Sequence, residues 1–284
     1  MGLDGWNLPE EREGRPAPDD LVERRKTVSA IPQQVEPGLG VRQDVYGGIP
    51  AVVVEVFDPA RTVLYLHGGG YRLGEAAGWT GFASRLALAS RARVVLLDYR
   101  LSPEAPFPGA LRDAAAAYDA LDAAFGPVAI AGDSAGGGLA LALAVAIRDA
   151  GKPTPSRLVL LSPWLDQTFE SATYAQNGAT DQLFGEDAAR AGSDLYLQGH
   201  DPRDPLVSPL LADPAGLPPA LVFAGGAEVL LGDTVQFAEK AAAAGVSVES
   251  HIVDGMQHVW PTVYPDLPES VSALAAMARF LCAD

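Results

Sequence analysis

Short β-branched and apolar runs alternate along most of the chain with longer stretches of helical periodicity. The runs 41–46, 51–57, 63–66, 94–97, 128–131, 158–161, 220–224 and 248–253 read as strands. Helical patterns at 80–89, 109–125, 137–150, 234–244 and 268–282 fall between and after the later runs. Gly47-Gly48 joins the first two strands as a hairpin-type turn. The pattern predicts an α/β fold: a mostly parallel eight-stranded sheet flanked by helices, with an antiparallel hairpin at one edge.

Two stretches break this rhythm. Residues 1–40 are rich in charge and proline, with one helical pattern over 19–30 that Asp19 or Asp20 is placed to cap. Residues 162–219 hold Trp164, Phe169, Tyr174, Phe184 and Tyr196 among many Asp, Pro and Gly. Structureless loops of that length are uncommon in compact domains and tend to be lids. We therefore expect short helices lying over the strand ends. The expected division is an N-terminal segment at 1–40, an insertion at 163–205, and a core formed by 41–162 and 206–284.

Composition changes the picture only at the margins. Of 284 residues, 48% are apolar and 20% charged, an ordinary globular balance. The formal charge of −16 argues against nucleic acid or an anionic membrane as partner, since both require clustered Lys and Arg. The single cysteine, Cys282, excludes an internal disulfide and a thiolate zinc site. No basic-then-apolar leader is visible at 1–13, and the longest apolar run, 139–147, is too short for a membrane span. The expectation is a soluble, cytoplasmic protein without metal or cofactor.

The chemistry concentrates at Gly132-Asp-Ser134-Ala-Gly136. An apolar strand pattern runs straight into it and an Ala/Leu-rich helix pattern follows, which is the context of a nucleophile elbow. Side chains two positions either side of the serine would collide in so tight a turn, so glycine is required there. The serine hydroxyl is then exposed at a helix N-terminus, where negative charge is favoured. His67-Gly-Gly-Gly70 follows the third strand, and its bare N–H groups suit a developing oxyanion. The expected donors are Gly69, Gly70 and Ala135, with Gly68 shaping the turn.

A serine needs a general base, and histidine is the usual one. His67 belongs to the glycine loop, His200 looks like a turn residue and His251 lies within a strand. His258 follows the last strand, where catalytic groups of open α/β sheets gather, and is the expected base. Glu228, just past the seventh strand, is the first choice for the orienting carboxylate. Asp233 is the second choice, although it looks like a helix cap, and Asp254 is the third.

These motifs occur together with Asp98-Tyr-Arg-Leu-Ser-Pro-Glu104, Ser162-Pro-Trp-Leu-Asp166, Asp201-Pro-Arg-Asp-Pro205, Glu228-Val-Leu-Leu and Gly255-Met-Gln-His258. In this combination the chain resembles the hormonesensitive-lipase-like family of bacterial α/β-hydrolases from about residue 40 onward. The resemblance implies an α/β-hydrolase fold with a helical cap, made from 1–40 and 163–205, and cofactor-free hydrolysis of short- to medium-chain acyl esters. It implies Ser134 as nucleophile, His258 as base and Gly69, Gly70 and Ala135 as oxyanion donors. Many members have aspartate where this chain has Glu228, and either carboxylate can serve. A homodimer is implied as well.

Asp98, Arg100 and Glu104 are expected to form an ion-pair network under the glycine loop. The cap aromatics, with Trp6, Tyr71 and Trp260, either line an apolar ester pocket or pack into the core. Two other readings of function remain open. One keeps the chemistry but makes the protein a pathway-specific deacylase, acetyl hydrolase or acyltransferase; the other is a non-catalytic ligand-binding homologue. An ester panel with competing alcohol acceptors separates the first, and serine labelling the second.

Overall fold

The computed structural model describes residue 3 and residues 5–283. The parts of the leader, cap and core expectations that fall on Met1, Gly2, Asp4 and Asp284 lie outside the described residues.

Eight strands form one sheet in the order β1-β2-β4-β3-β5-β6-β7-β8. They are β1 (Gly40–Tyr46), β2 (Ile49–Glu55), β3 (Arg61–Leu66), β4 (Ala92–Leu97), β5 (Val128–Asp133), β6 (Leu158–Leu161), β7 (Ala220–Gly225) and β8 (Val248–Val253). β2 pairs antiparallel with β1 and β4, and every other neighbouring pair is parallel. The hairpin turn places Gly47 and Gly48 at φ 59° and 86°, the signs a two-residue primed turn demands. Because that turn is only two residues long, β2 begins at Ile49 and ends at Glu55, two residues before the expected span.

Alternation along the strands feeds two cores. Leu64 and Leu66 of β3 face a cluster with Leu111, Tyr118, Leu139 and Leu143. Those residues belong to α3 (Gly109–Phe125) and α4 (Ala135–Asp149). Val63 and Tyr65 face the opposite cluster, with Phe82, Leu86 and Met277. These come from α2 (Thr80–Ser90) and α9 (Pro268–Cys282). The central strands are buried on both faces, as a parallel sheet between helical layers must be.

The remaining helices are α1 (Asp19–Ser29), α5 (Thr173–Gln176), α6 (Glu186–Leu197), α7 (Leu231–Ala243) and α8 (Trp260–Val263). α1 corrects one expectation. Its N-cap position is Pro18, with no capping side chain, and Asp19 and Asp20 lie inside the first turn, where they favour the helix dipole. The chain between β6 and β7 carries α5 and α6. Among the described residues no helix is long and apolar enough to cross a membrane.

Candidate active site

β5 ends at Asp133 and α4 begins at Ala135, so Ser134 alone makes the bend. Its backbone sits at φ 53°, ψ −122°, a strained conformation for a non-glycine residue. The turn closes this tightly because no side chain stands at 132 or 136. A Cβ on Gly132 would overlap the Gly136 carbonyl, and one on Gly136 would overlap the carbonyls of Leu66 and His67. The Ser134 N–H donates to the Leu161 carbonyl at 2.9 Å, and its own carbonyl accepts from Trp164 at 2.9 Å.

His258 reaches the serine from the loop beyond β8. Its Nε2 lies 2.9 Å from Ser134 Oγ, and its Nδ1 lies 2.9 Å from Glu228 Oε2. Glu228 is fully buried, and its Oε1 accepts the Gly225 N–H at 3.0 Å. Burial pushes its carboxyl up, opposed by His258, the Ser162 hydroxyl and the Gly225 N–H. Phe184, from the insertion, stacks on the His258 ring with centroids 5.1 Å apart. The other carboxylate candidates stand elsewhere. Asp233 lies in the first turn of α7 instead of capping it, and its Oδ2 accepts the N–H groups of Leu165 and Asp166 at 2.8 and 3.1 Å. Asp254 is exposed.

The glycine loop faces the same space. Gly69 and Gly70 have φ of 115° and 62°, and neither N–H donates to another described residue. Both line one cavity with Ser134 and His258. Ala135 is the first residue of α4, where an N–H has no acceptor within its own helix. The loop is held from behind. Asp133 Oδ1 accepts from the Gly68 N–H at 3.0 Å and the Tyr65 hydroxyl at 2.8 Å. Burial raises the Asp133 carboxyl to about 6, against the pull of those two bonds.

His67 braces the loop from below. Its ring stacks on Tyr99 with centroids 4.4 Å apart, and the Tyr99 hydroxyl donates to the His67 carbonyl at 2.6 Å. Burial lowers the His67 imidazole to about 4. His200 pairs with Asp204 and His251 with Glu249.

The expected network of Asp98, Arg100 and Glu104 is not a network. Asp98 Oδ1 accepts the Ala76 N–H at 2.5 Å, Arg100 forks onto Asp113 and Glu11, and Glu104 pairs with Arg25. The side chains diverge, each fixing a different loop or segment. Most of the aromatic candidates also pack away from the site. Trp164 and Tyr71 are buried in one core and Trp260 in the other, while Trp6 donates to Asp119 at 2.6 Å. Of that set only Phe184 lines the cavity of about 660 Å³ over Ser134, together with Trp79 and Phe82.

Ser162 was not singled out as functional by sequence. It directly follows β6 at φ 45°, its hydroxyl accepts the Val259 N–H at 2.9 Å, and the same hydroxyl lies beside Glu228. It ties the histidine loop to the carboxylate. Ser162→Ala is expected to lower kcat about three- to tenfold, the cost of about one hydrogen bond's worth of positioning. Steady-state kinetics check this, with a thermal melt to control for folding.

Among the described residues no group of three or more His, Cys, Asp or Glu is gathered to hold a metal. A serine raised on the bend between a parallel strand and its helix, met by an imidazole from beyond the last strand, is the architecture of an α/β-hydrolase. A family model described as alpha/beta hydrolase fold matches residues 63–262. The acetyl-hydrolase of Streptomyces hygroscopicus is 40% identical over 267 residues, covering 92% of this chain and 89% of that protein. EstE5, in a crystal soaked by p-nitrophenyl butyrate, superposes with a TM-score of 0.88 at 36% identity, over 95% of this chain and 92% of that one. An esterase from the bacterial hormone-sensitive lipase family superposes with a TM-score of 0.87 at 37% identity, over 94% and 92%. The chain belongs to that bacterial hormone-sensitive-lipase family of α/β-hydrolases.

Proposed function

We propose that Ser134, His258 and Glu228 form a catalytic triad that hydrolyses short- to medium-chain carboxylic esters through an acyl-serine. The chain is a carboxylic ester hydrolase, and the proposal concerns which residues act and on what. The observation that carries it is the unbroken line from Ser134 Oγ to His258 to Glu228, with 2.9 Å at each step.

Ser134 Oγ attacks the ester carbonyl carbon while His258 Nε2 takes its proton. The carbonyl oxygen becomes an oxyanion on the N–H groups of Gly69, Gly70 and Ala135. The tetrahedral intermediate collapses, its bond to the alcohol oxygen breaks, and His258 returns the proton to the departing alkoxide. Water then loses a proton to His258 as it attacks the acyl carbon. The acid leaves and Ser134 recovers its proton. Glu228 accepts from Nδ1, fixes the tautomer and stabilises the imidazolium.

The cap in this reading is 1–40 with 163–205. α1 and the segment carrying Phe184 border the cavity, which supports it. A homodimer belongs to the same reading, supported by the open edge at β8, where Ile252 is exposed. An acetyl-specific hydrolase is a narrower version, favoured by the name of the Streptomyces relative.

The test is a p-nitrophenyl ester series from acetate to long chains, alongside labelling by a fluorophosphonate. We expect turnover that falls with chain length, and one adduct, on Ser134. Absence of both turnover and adduct would mean a binding protein that has kept the fold.

A further inference from the structure

The cavity over Ser134 holds more positive charge than ester hydrolysis requires. Three arginines line it, Arg24, Arg72 and Arg85, against two carboxylates, Asp133 and Asp266. Both carboxylates are already engaged. Asp266 pairs with Arg85 at 2.9 Å, and Arg85 also reaches Glu36 at 3.4 Å. Asp133 is held by Tyr65 and Gly68 behind the serine. Arg24 and Arg72 remain, and among the described residues neither has a carboxylate within ion-pair distance.

Arg72 is half-buried between the glycine loop and α6. Its Nη2 donates to the Ala188 carbonyl at 3.0 Å, and its other N–H groups have no acceptor among the described residues. Burial and the neighbouring Arg24 both pull its guanidinium below the usual range, and Asp20 opposes them without forming an ion pair. Arg25 builds this juxtaposition. Its Nε donates to the Arg72 carbonyl at 2.9 Å and its Nη2 to the Ser102 carbonyl at 2.8 Å, while Glu104 takes the charge. The helix that carries Arg24 is thus fastened to the backbone of Arg72.

A partly desolvated guanidinium without a counter-ion is costly, and its fork geometry matches an oxyanion. The transition-state oxyanion is served by backbone N–H groups, so these charges are surplus to the reacting carbonyl. We infer that the preferred ester carries an anionic group, on its acyl or its alcohol side, and that Arg72 with Arg24 binds it. The inference rests on the ester-hydrolase reading above.

Two substrate pairs test it. Mono-p-nitrophenyl glutarate against p-nitrophenyl valerate reads an anionic acyl chain. Para-acetoxybenzoate against its methyl ester reads an anionic alcohol. The readout is the ratio of kcat/KM, anionic over neutral, within each protein, so a general loss of activity cancels. On one arm the ratio should fall about tenfold in Arg72→Gln. The more exposed Arg24→Gln should lower it about threefold. In the unmutated enzyme the ratio should also fall as salt rises from about 0.05 to 0.5 M. Ratios indifferent to both substitutions and to salt on both arms overturn the inference. If Arg72→Gln does not fold, Arg24→Gln and the salt series decide. If no ester is turned over at all, the ester reading fails separately. The charge site is then judged by whether glutarate raises the Tm of the native enzyme more than that of Arg24→Gln; equal shifts, or none, overturn it.

Discussion

Ser134→Ala should lower kcat on a short-chain p-nitrophenyl ester by about 10⁶, to a residual rate about 10³–10⁴ above the uncatalysed one. The loss is this large because the acyl-serine can no longer form, and His258 is left with no hydroxyl to activate. The residue comes from oxyanion donors and binding groups that remain in place. The fold should survive. Alanine has the same Cβ as serine, so the strain at φ 53° neither grows nor falls. The side-chain bond lost is the one to His258, about 1 kcal/mol. Kinetics and a thermal melt check both halves. Turnover above about 1% of the parent rate would move the nucleophile elsewhere.

Much of this site was legible because its constraints are local. The bend at Ser134 needs glycine at 132 and 136, and the overlap a Cβ would make there is written in the motif itself. The central strands followed from burial on both faces, which leaves unbroken apolar runs. Two helices begin earlier than their periodicity predicts: α4 at Ala135, not at 137, and α7 at Leu231, not at 234. Gly232 falls inside α7 because of a close neighbour: a Cβ there would strike the Ser171 hydroxyl. Contacts between distant segments leave no such mark. Nothing along the chain says that Trp79 and Phe82 line the cavity, that Ser162 meets both Glu228 and Val259, or that Arg24 lies beside Arg72.

Glu228→Gln should lower kcat by about 10⁴, and Asp233→Asn by no more than a few-fold. The difference follows from what each carboxyl touches. Glu228 Oε1 must accept the Gly225 N–H, so a glutamine there keeps its oxygen toward Gly225 and turns its NH₂ toward His258. Nδ1 must then accept, which moves the imidazole proton to Nε2, the atom that has to take the proton of Ser134. The flipped amide sets its NH₂ against the Gly225 N–H and is no better. Geometry is preserved while the tautomer is wrong. Asp233 is under a different constraint. Burial, reinforced by Asp166 and Glu228, pushes its carboxyl well above the ordinary range. Only Oδ2 accepts, from Leu165 and Asp166, while Oδ1 has no partner among the described residues. Asparagine keeps the accepting oxygen, and burial already disfavours the charge that it removes. Steady-state kcat for the two variants, with Tm to control for folding, separates the roles. Equal losses would remove Glu228 from the triad and leave its third member unassigned.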